Sequence, residues 1–273
     1  MFVYFNSSKK WINVMSKIFF LSDAHLGAQS LEKEARKAEQ LVSFLEYYAG
    51  QNAVLVIVGD LFDFWFEYRH AIPQRHFHII SLLANLCRSG KEIHYMAGNH
   101  DFWLGSFMKN EVGLRLHPDD HVIANDNYKI FIKHGDGLLK KDHLYRAMKK
   151  TLRSPVNTFL YRMLHPDLGI PLALFCSHLS REASKDRSGY SDMDYREFAF
   201  ARIDEGYDFV VLGHTHWPAL QQYRNGWYIN PGYWMDDFTF AVIENGVPEV
   251  LRWRNGAGER FQITLPPGNM QSK

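Results

Sequence analysis

Short apolar runs recur along the chain, and each breaks abruptly into polar residues. Ile18-Phe19-Phe20-Leu21 passes into Ser22-Asp23-Ala24-His25, and Ala53 to Val58 passes into Gly59-Asp60. Ile93 to Ala97 leads to Gly98-Asn99-His100-Asp101, Lys129 to Lys133 to His134-Gly135-Asp136, and Asp208 to Leu212 to Gly213-His214-Thr215-His216. Continuous apolar runs of this length predict strands buried on both faces. Between the first two, residues 32–48 carry apolar or small side chains at 35, 38, 41, 42, 45 and 48, the spacing of an amphipathic helix. Residues 74–89 have a similar pattern. Strand–helix–strand alternation predicts a layered α/β domain. The longest apolar candidate, Leu168 to Leu179, contains Pro171 and Ser177 and falls short of the roughly 18 residues of a membrane-spanning helix.

Residues 140–187 break this grammar. They hold ten Lys or Arg and four acids, a local charge of +6 that leaves −5 for the rest of the chain. Apolar positions at Val156, Phe159, Leu160, Met163 and Leu164, then Leu172 to Phe175, are helically spaced. The segment is expected to be a helical insertion capping the strand ends, within a domain covering residues 15–265. Residues 1–14 read as an N-terminal extension without the order of a signal peptide, and residues 266–273 as a flexible tail.

Composition is that of an ordinary globular protein, with 46% hydrophobic and 22% charged residues. The formal charge of +1 argues against a globally basic nucleic-acid binder. Cys87 and Cys176 are the two cysteines and are expected to be buried free thiols in a reducing compartment.

Fourteen histidines make placement the informative quantity. Five strand ends carry His, Asp or Asn, and ligands gather where the strands of such sheets end. Asp23 and His25, two apart past a strand, are expected to point the same way and to ligate one ion. Asp60 can bridge two cations, Asn99 offers a neutral oxygen, and His134, His214 and His216 offer imidazoles. A mixed N and O set without thiolate suits Mn, Fe, Zn or Ni in a catalytic site. Two ions sharing Asp60 would clamp a phosphoryl centre. Gly59, Gly98, Gly135 and Gly213 each adjoin a candidate ligand, where a turn needs positive φ or close backbone approach. Any one of these motifs alone is more commonly a turn. The remaining histidines (70, 76, 78, 94, 117, 121, 143, 165 and 178) are assigned to surface or core.

With these residues in place, the chain resembles the calcineurin-like metallophosphoesterase superfamily. The motifs are Asp-Ala-His (23–25), Gly-Asp-Leu-Phe-Asp (59–63), Gly-Asn-His-Asp (98–101), His-Gly-Asp (134–136) and Gly-His-Thr-His (213–216). The resemblance implies a four-layer α-β-β-α sandwich with a helical cap. It implies that Asp23, His25 and His216 hold one metal, that Asn99, His134 and His214 hold a second, and that Asp60 bridges. His100 would stand beside the scissile phosphate, aided by Asp101, as a general acid or transition-state donor.

A closer resemblance is to the UDP-2,3-diacylglucosamine pyrophosphatases of lipid A synthesis, carried by residues 59–65, 98–105, 134–142 and 180–187. It implies hydrolysis to UMP and 2,3-diacylglucosamine 1-phosphate with two divalent cations, Mn2+ foremost. It further implies a cap clasping two acyl chains, and a cytoplasmic protein held peripherally at the inner membrane. Neither nucleic acid nor an obligate protein partner is implied. Asp142 matches that family's substrate-binding Asp. Ser180, Ser184 and Arg187 fall near its cap Ser, Asn and Lys positions, and His214 also faces substrate. The family commonly has Arg where this chain has His100, so a sister branch acting on another phosphodiester, a nucleotide or a phosphomonoester stays open. Ordinary packing of the cap's apolar series onto the sheet also stays open.

Overall fold

The computed structural model describes residues 17–125, 127–138, 142–185, 191–260 and 262–263, without the side chains at 144, 179–185 and 191–192. The expected extension at 1–14 and tail at 266–273 lie outside the described residues. In chain order the elements begin β1 (Lys17–Leu21), α1 (Leu31–Ala49), β2 (Val54–Ile57), α2 (Phe77–Arg88), β3 (Ile93–Met96), β4 (Arg115–His117), β5 (Asp120–Ala124) and β6 (Lys129–Lys133). Then come α3 (His143–Leu152), α4 (Pro155–Arg162), α5 (Pro166–Lys185), α6 (Ser191–Asp204), β7 (Phe209–Leu212), β8 (Ala219–Tyr223) and β9 (Gly226–Asn230). The chain closes with α7 (Trp234–Asp237), β10 (Thr239–Glu244), β11 (Val247–Arg254) and β12 (Ala257–Arg260).

Two sheets form, in the orders β12-β11-β10-β1-β2-β3-β4 and β5-β6-β7-β9-β8. Strands β1 to β4 run parallel, and so do β6, β7 and β9. Alternation along the strands sorts side chains between layers. Ile18, Phe20, Val54 and Val56 meet Ile130, Ile132, Val211 and Ile229 between the sheets. Phe19, Leu21, Leu55 and Ile57 face the other way and pack on Leu41, Phe44 and Leu83 of α1 and α2. Phe131, Val210 and Leu212 pack on Tyr195, Ala199 and Ile203 of α6. The result is a four-layer α-β-β-α sandwich. Each fully buried Val, Ile or Phe in the middle layer contributes about 1.5–3 kcal/mol.

The pattern does not reveal the short and half-exposed strands. Strand β5 alternates in burial, and β12 is exposed throughout. The hairpin β10–β11 returns from the C-terminal region to place β10 beside β1, antiparallel. Helices α3 to α5 occupy the basic segment. Ser154 caps α4, its hydroxyl accepting from Asn157 N–H at 3.2 Å, with Pro155 at the first turn. The expected burial of both cysteines is corrected: Cys87 is half-buried, and Cys176 lies exposed on α5. No helix among the described residues is long and apolar enough to cross a membrane.

Candidate metal centre

Parallel strands deliver their C-terminal ends to one side of the sandwich, and the five polar loops meet there. The loops after β1 and β2 stay paired beyond the strands, with Asp23 N–H bonded to Gly59 O at 3.2 Å and His25 N–H to Asp60 O at 2.9 Å. Asp23 (φ 55°), His25 (φ 42°), Asp60 (φ 53°), His214 (φ 68°) and His216 (φ 61°) are all left-handed. Outside glycine this conformation costs on the order of 1 kcal/mol or more per residue, and such strain concentrates at functional sites. Asp23 and His25 therefore converge through left-handed turns, and not through the extended alternation expected of them.

The side chains fall into two groups sharing an edge. In the first, His216 Nε2 lies 3.2 Å from Asp23 Oδ1 and 3.3 Å from His25 Nε2, with His25 Nε2 3.6 Å from Asp23 Oδ1. In the second, His134 Nε2 lies 3.3 Å from Asp60 Oδ2 and 3.1 Å from Asn99 Oδ1, and His214 joins Asp60 and His134. Asp60 Oδ2 is also 3.8 Å from His25 Nε2, so this oxygen stands between the groups. Donors around a cation at about 2.1 Å are roughly 3.0–3.4 Å apart, close to these separations. Asp23 Oδ1, which faces His25 Nε2 and His216 Nε2, is buried without a hydrogen-bond partner, a costly state that ligation would explain. The donor set fits two divalent cations.

Charge follows from this crowding. Burial pushes the Asp23 and Asp60 carboxyls up, but the surrounding histidines, His216 foremost at Asp23 and His134 at Asp60, outweigh it and hold both well below the carboxylate range. Burial lowers His134, yet Asp60 overrides it and raises this imidazole to about 10. His214 is lowered to about 4 by burial and by His134. A cation needs neutral His134, so ion uptake near neutral pH is expected to release a proton. Apparent affinity should then rise about tenfold per pH unit below 10. Calorimetry of Mn2+ binding in buffers of different ionisation enthalpy measures this, and buffer-independent heats would refute it.

Val58, Asp63 and Ser177 support these side chains, and the sequence pattern gives them no role. His134 Nδ1–H donates to Val58 O at 2.7 Å, and His25 Nδ1 faces Asp63 Oδ1 at 3.6 Å; both contacts turn Nε2 toward the centre. A Cβ on Gly98 would overlap the Asp60 carboxylate, and one on Gly59 (φ 91°) would overlap His134. His100 lies against His25, and its Nδ1 is 3.2 Å from Asp63 O and 2.8 Å from the hydroxyl of Ser177 on α5. That hydroxyl donates to Asp63 Oδ1 at 2.9 Å, so it accepts from His100 Nδ1–H, and Nε2 is the nitrogen left to face a substrate. Burial lowers His100 to about 4 against the opposing charge of Asp60.

Asp101 differs from its expected partnership with His100. Its carboxylate accepts Gly98 N–H at 2.9 Å, Asp60 N–H and Phe62 N–H at 3.3 Å each, and the Tyr95 hydroxyl. It pins the loops together from behind and is a positioning residue.

The cap is fastened to the same loops. Tyr145 and Lys149 of α3 reach Asp136 Oδ2 at 2.7 and 2.6 Å, and Arg153 donates to Gly98 O at 3.3 Å and Pro118 O at 3.1 Å. Asp142 is the N-cap residue of α3, and its side chain makes no capping bond. The side chains of Ser180 and Ser184, and all of Arg187, lie outside the described residues. Two concavities, one beside Val42 and Phe77 and one beside Phe238 and Arg252, contain none of the centre's residues.

Residues 16–218 match the calcineurin-like phosphoesterase family, to which the chain belongs. It is a hydrolase of metallophosphoesterase type. Among similar proteins is the UDP-2,3-diacylglucosamine hydrolase of Porphyromonas gingivalis, 30% identical over 219 residues, or 74% of this chain and 83% of that one. The protein of the same name from Aromatoleum aromaticum is 30% identical over 73% of this chain and 80% of its own length. That from Haemophilus influenzae is 28% identical over 82% and 93%.

Proposed function

We propose that the protein hydrolyses the diphosphate of UDP-2,3-diacylglucosamine to UMP and 2,3-diacylglucosamine 1-phosphate, with two divalent cations, Mn2+ in the cell. Asp23, His25 and His216 would hold one ion, Asn99, His134 and His214 the other, and Asp60 both. When bound, such ions polarise phosphoryl oxygens and lower the pKa of water. The chain's own residues orient and discriminate. His100, fixed through Nδ1 by Asp63 and Ser177, presents Nε2 to the phosphate, and the ties from Arg153, Lys149 and Tyr145 keep the cap over the centre.

The observation that carries this reading is the cap's surface. Val156 (67%), Phe159 (61%), Met163 (72%) and Phe175 (61%) stand exposed, as do Leu160, Leu168 and Leu172. None belongs to the sandwich cores. Packing on the sheet therefore does not account for the series, whereas acyl chains would. The segment's net charge of +6 suits a diphosphate and an anionic membrane surface, in keeping with a cytoplasmic protein held peripherally at the inner membrane. Similarly named relatives support the same substrate.

With Mn2+, UMP release from UDP-2,3-diacylglucosamine is expected to exceed release from unacylated UDP-glucosamine by about 10²-fold or more in kcat/KM, a difference of ~2.7 kcal/mol. Cleavage of simple phosphodiesters with the lipid left intact would instead place the chain in a sister branch.

A further inference from the structure

Three histidines outside the metal centre come together where one sheet passes into the other. His94 lies on β3, His117 on β4, and His121 on β5. Strand β4 is an edge of the seven-stranded sheet and β5 an edge of the five-stranded one, so the residues between 117 and 121 cross between layers. Pairing sets the placement: Met96 is opposite His117, and His121 is opposite Ile132. Potential donor atoms of all three rings lie within 4.8 Å of one another. We propose that His94, His117 and His121 form a third metal site, for a nitrogen-preferring divalent ion such as Zn2+, which staples the two sheet edges.

The surroundings are those of a ligand set. His94 is buried, and its Nε2 lies 2.8 Å from Glu92 Oε1, a carboxylate also held by Arg115. A carboxylate on one nitrogen fixes the tautomer and frees the other as a donor. That other nitrogen, His94 Nδ1, points at His117 Nε2, 2.9 Å away. His117 and His121 are half-buried, so an ion can enter from solvent, which also supplies water as a fourth ligand. Burial lowers all three imidazoles, with neighbouring histidines adding to it at His117 and His121 and Arg115 at His94 against the opposing Glu92; His117 falls to about 4, and the neutral form is the metal-binding one.

The rings of His117 and His121 stack at 3.7 Å, and those of His94 and His117 at 5.1 Å. Convergence on one ion needs rotation about χ2, a soft torsion in histidine. Three imidazoles select Zn2+, Ni2+ or Cu2+ over the oxygen-preferring Mg2+ and Mn2+. An ion here would brace the loop that carries Asn99. His117 O accepts Ala97 N–H at 2.8 Å, and Arg153 joins the adjacent Pro118 O to Gly98 O. The inference does not depend on the identity of the substrate.

The test counts metal in the full-length protein. After saturation with Mn2+ and then Zn2+ and removal of free ion, total metal per chain is measured by plasma mass spectrometry. Three ions are expected for the wild type and two for the double variant His117→Asn/His121→Gln. Zn2+ should raise Tm by about several degrees in the wild type beyond any rise in the variant. Should the double variant fold poorly, His121→Gln alone and the nitrogen hyperfine pattern of Cu2+ added to the Mn2+-loaded wild type decide the matter. Equal metal content in wild type and variant, or a Cu2+ signal without imidazole nitrogens, would overturn the proposal.

Discussion

Asp60→Asn is expected to lower turnover about 10³-fold and to strip metal from the protein while leaving it folded. Both carboxylate oxygens are committed. Oδ1 accepts His100 N–H at 2.9 Å, and Oδ2 stands 3.3 Å from His134 Nε2 and 3.8 Å from His25 Nε2. Asn has the same shape, so backbone contacts of the loop survive. It lacks the charge that outweighs the burial of His134 and that two cations would share. Cations at such a centre supply several kcal/mol to the transition state, and ~4 kcal/mol corresponds to about 10³-fold. Metal content, circular dichroism and kcat measured together check this. Two ions per chain with near-normal turnover would remove Asp60 from the centre.

His100→Ala is expected to cost about 10² to 10³-fold in kcat with metal content kept, the range for losing one positioned proton donor or transition-state partner. The structure adds a sharper expectation. Ser177 touches His100 Nδ1 and Asp63, so any effect of Ser177 on turnover is expected to run through His100. Ser177→Ala alone should lower kcat by about fivefold, the equivalent of the ~1 kcal/mol of a neutral hydrogen bond. In the His100→Ala background the same change should do almost nothing. A double-mutant cycle on kcat, with KM read separately, measures the coupling. Additive losses would show that Ser177 serves the cap's packing and not the imidazole.

Asp101 shows that neighbours in sequence need not share contacts. It follows His100 directly, yet it bonds the backbone of Gly98, Asp60 and Phe62, while His100 turns to Asp63 and Ser177. A one-residue step in a turn reverses the direction of a side chain, and no spacing rule registers that. Ser177 was equally hidden, because a serine in an apolar helix has no signature until its 114-residue separation from Asp63 is closed by folding.

What the sequence determined by itself was local. Apolar runs ending in Asp, His and Asn marked the strands and the loops of the centre, because burial on both faces and metal-ligand chemistry each restrict residue type. Gly59 and Gly98 could be read too, since only glycine leaves room for His134 and Asp60. The tertiary structure decided whatever depends on pairing between distant segments. It placed β10 beside β1, sent the cap's apolar side chains outward, made Asp101 a brace, and drew His94, His117 and His121 from apparent dispersal into one cluster. Periodicity reports which face of an element is buried; which partner covers that face is fixed only when the whole chain packs.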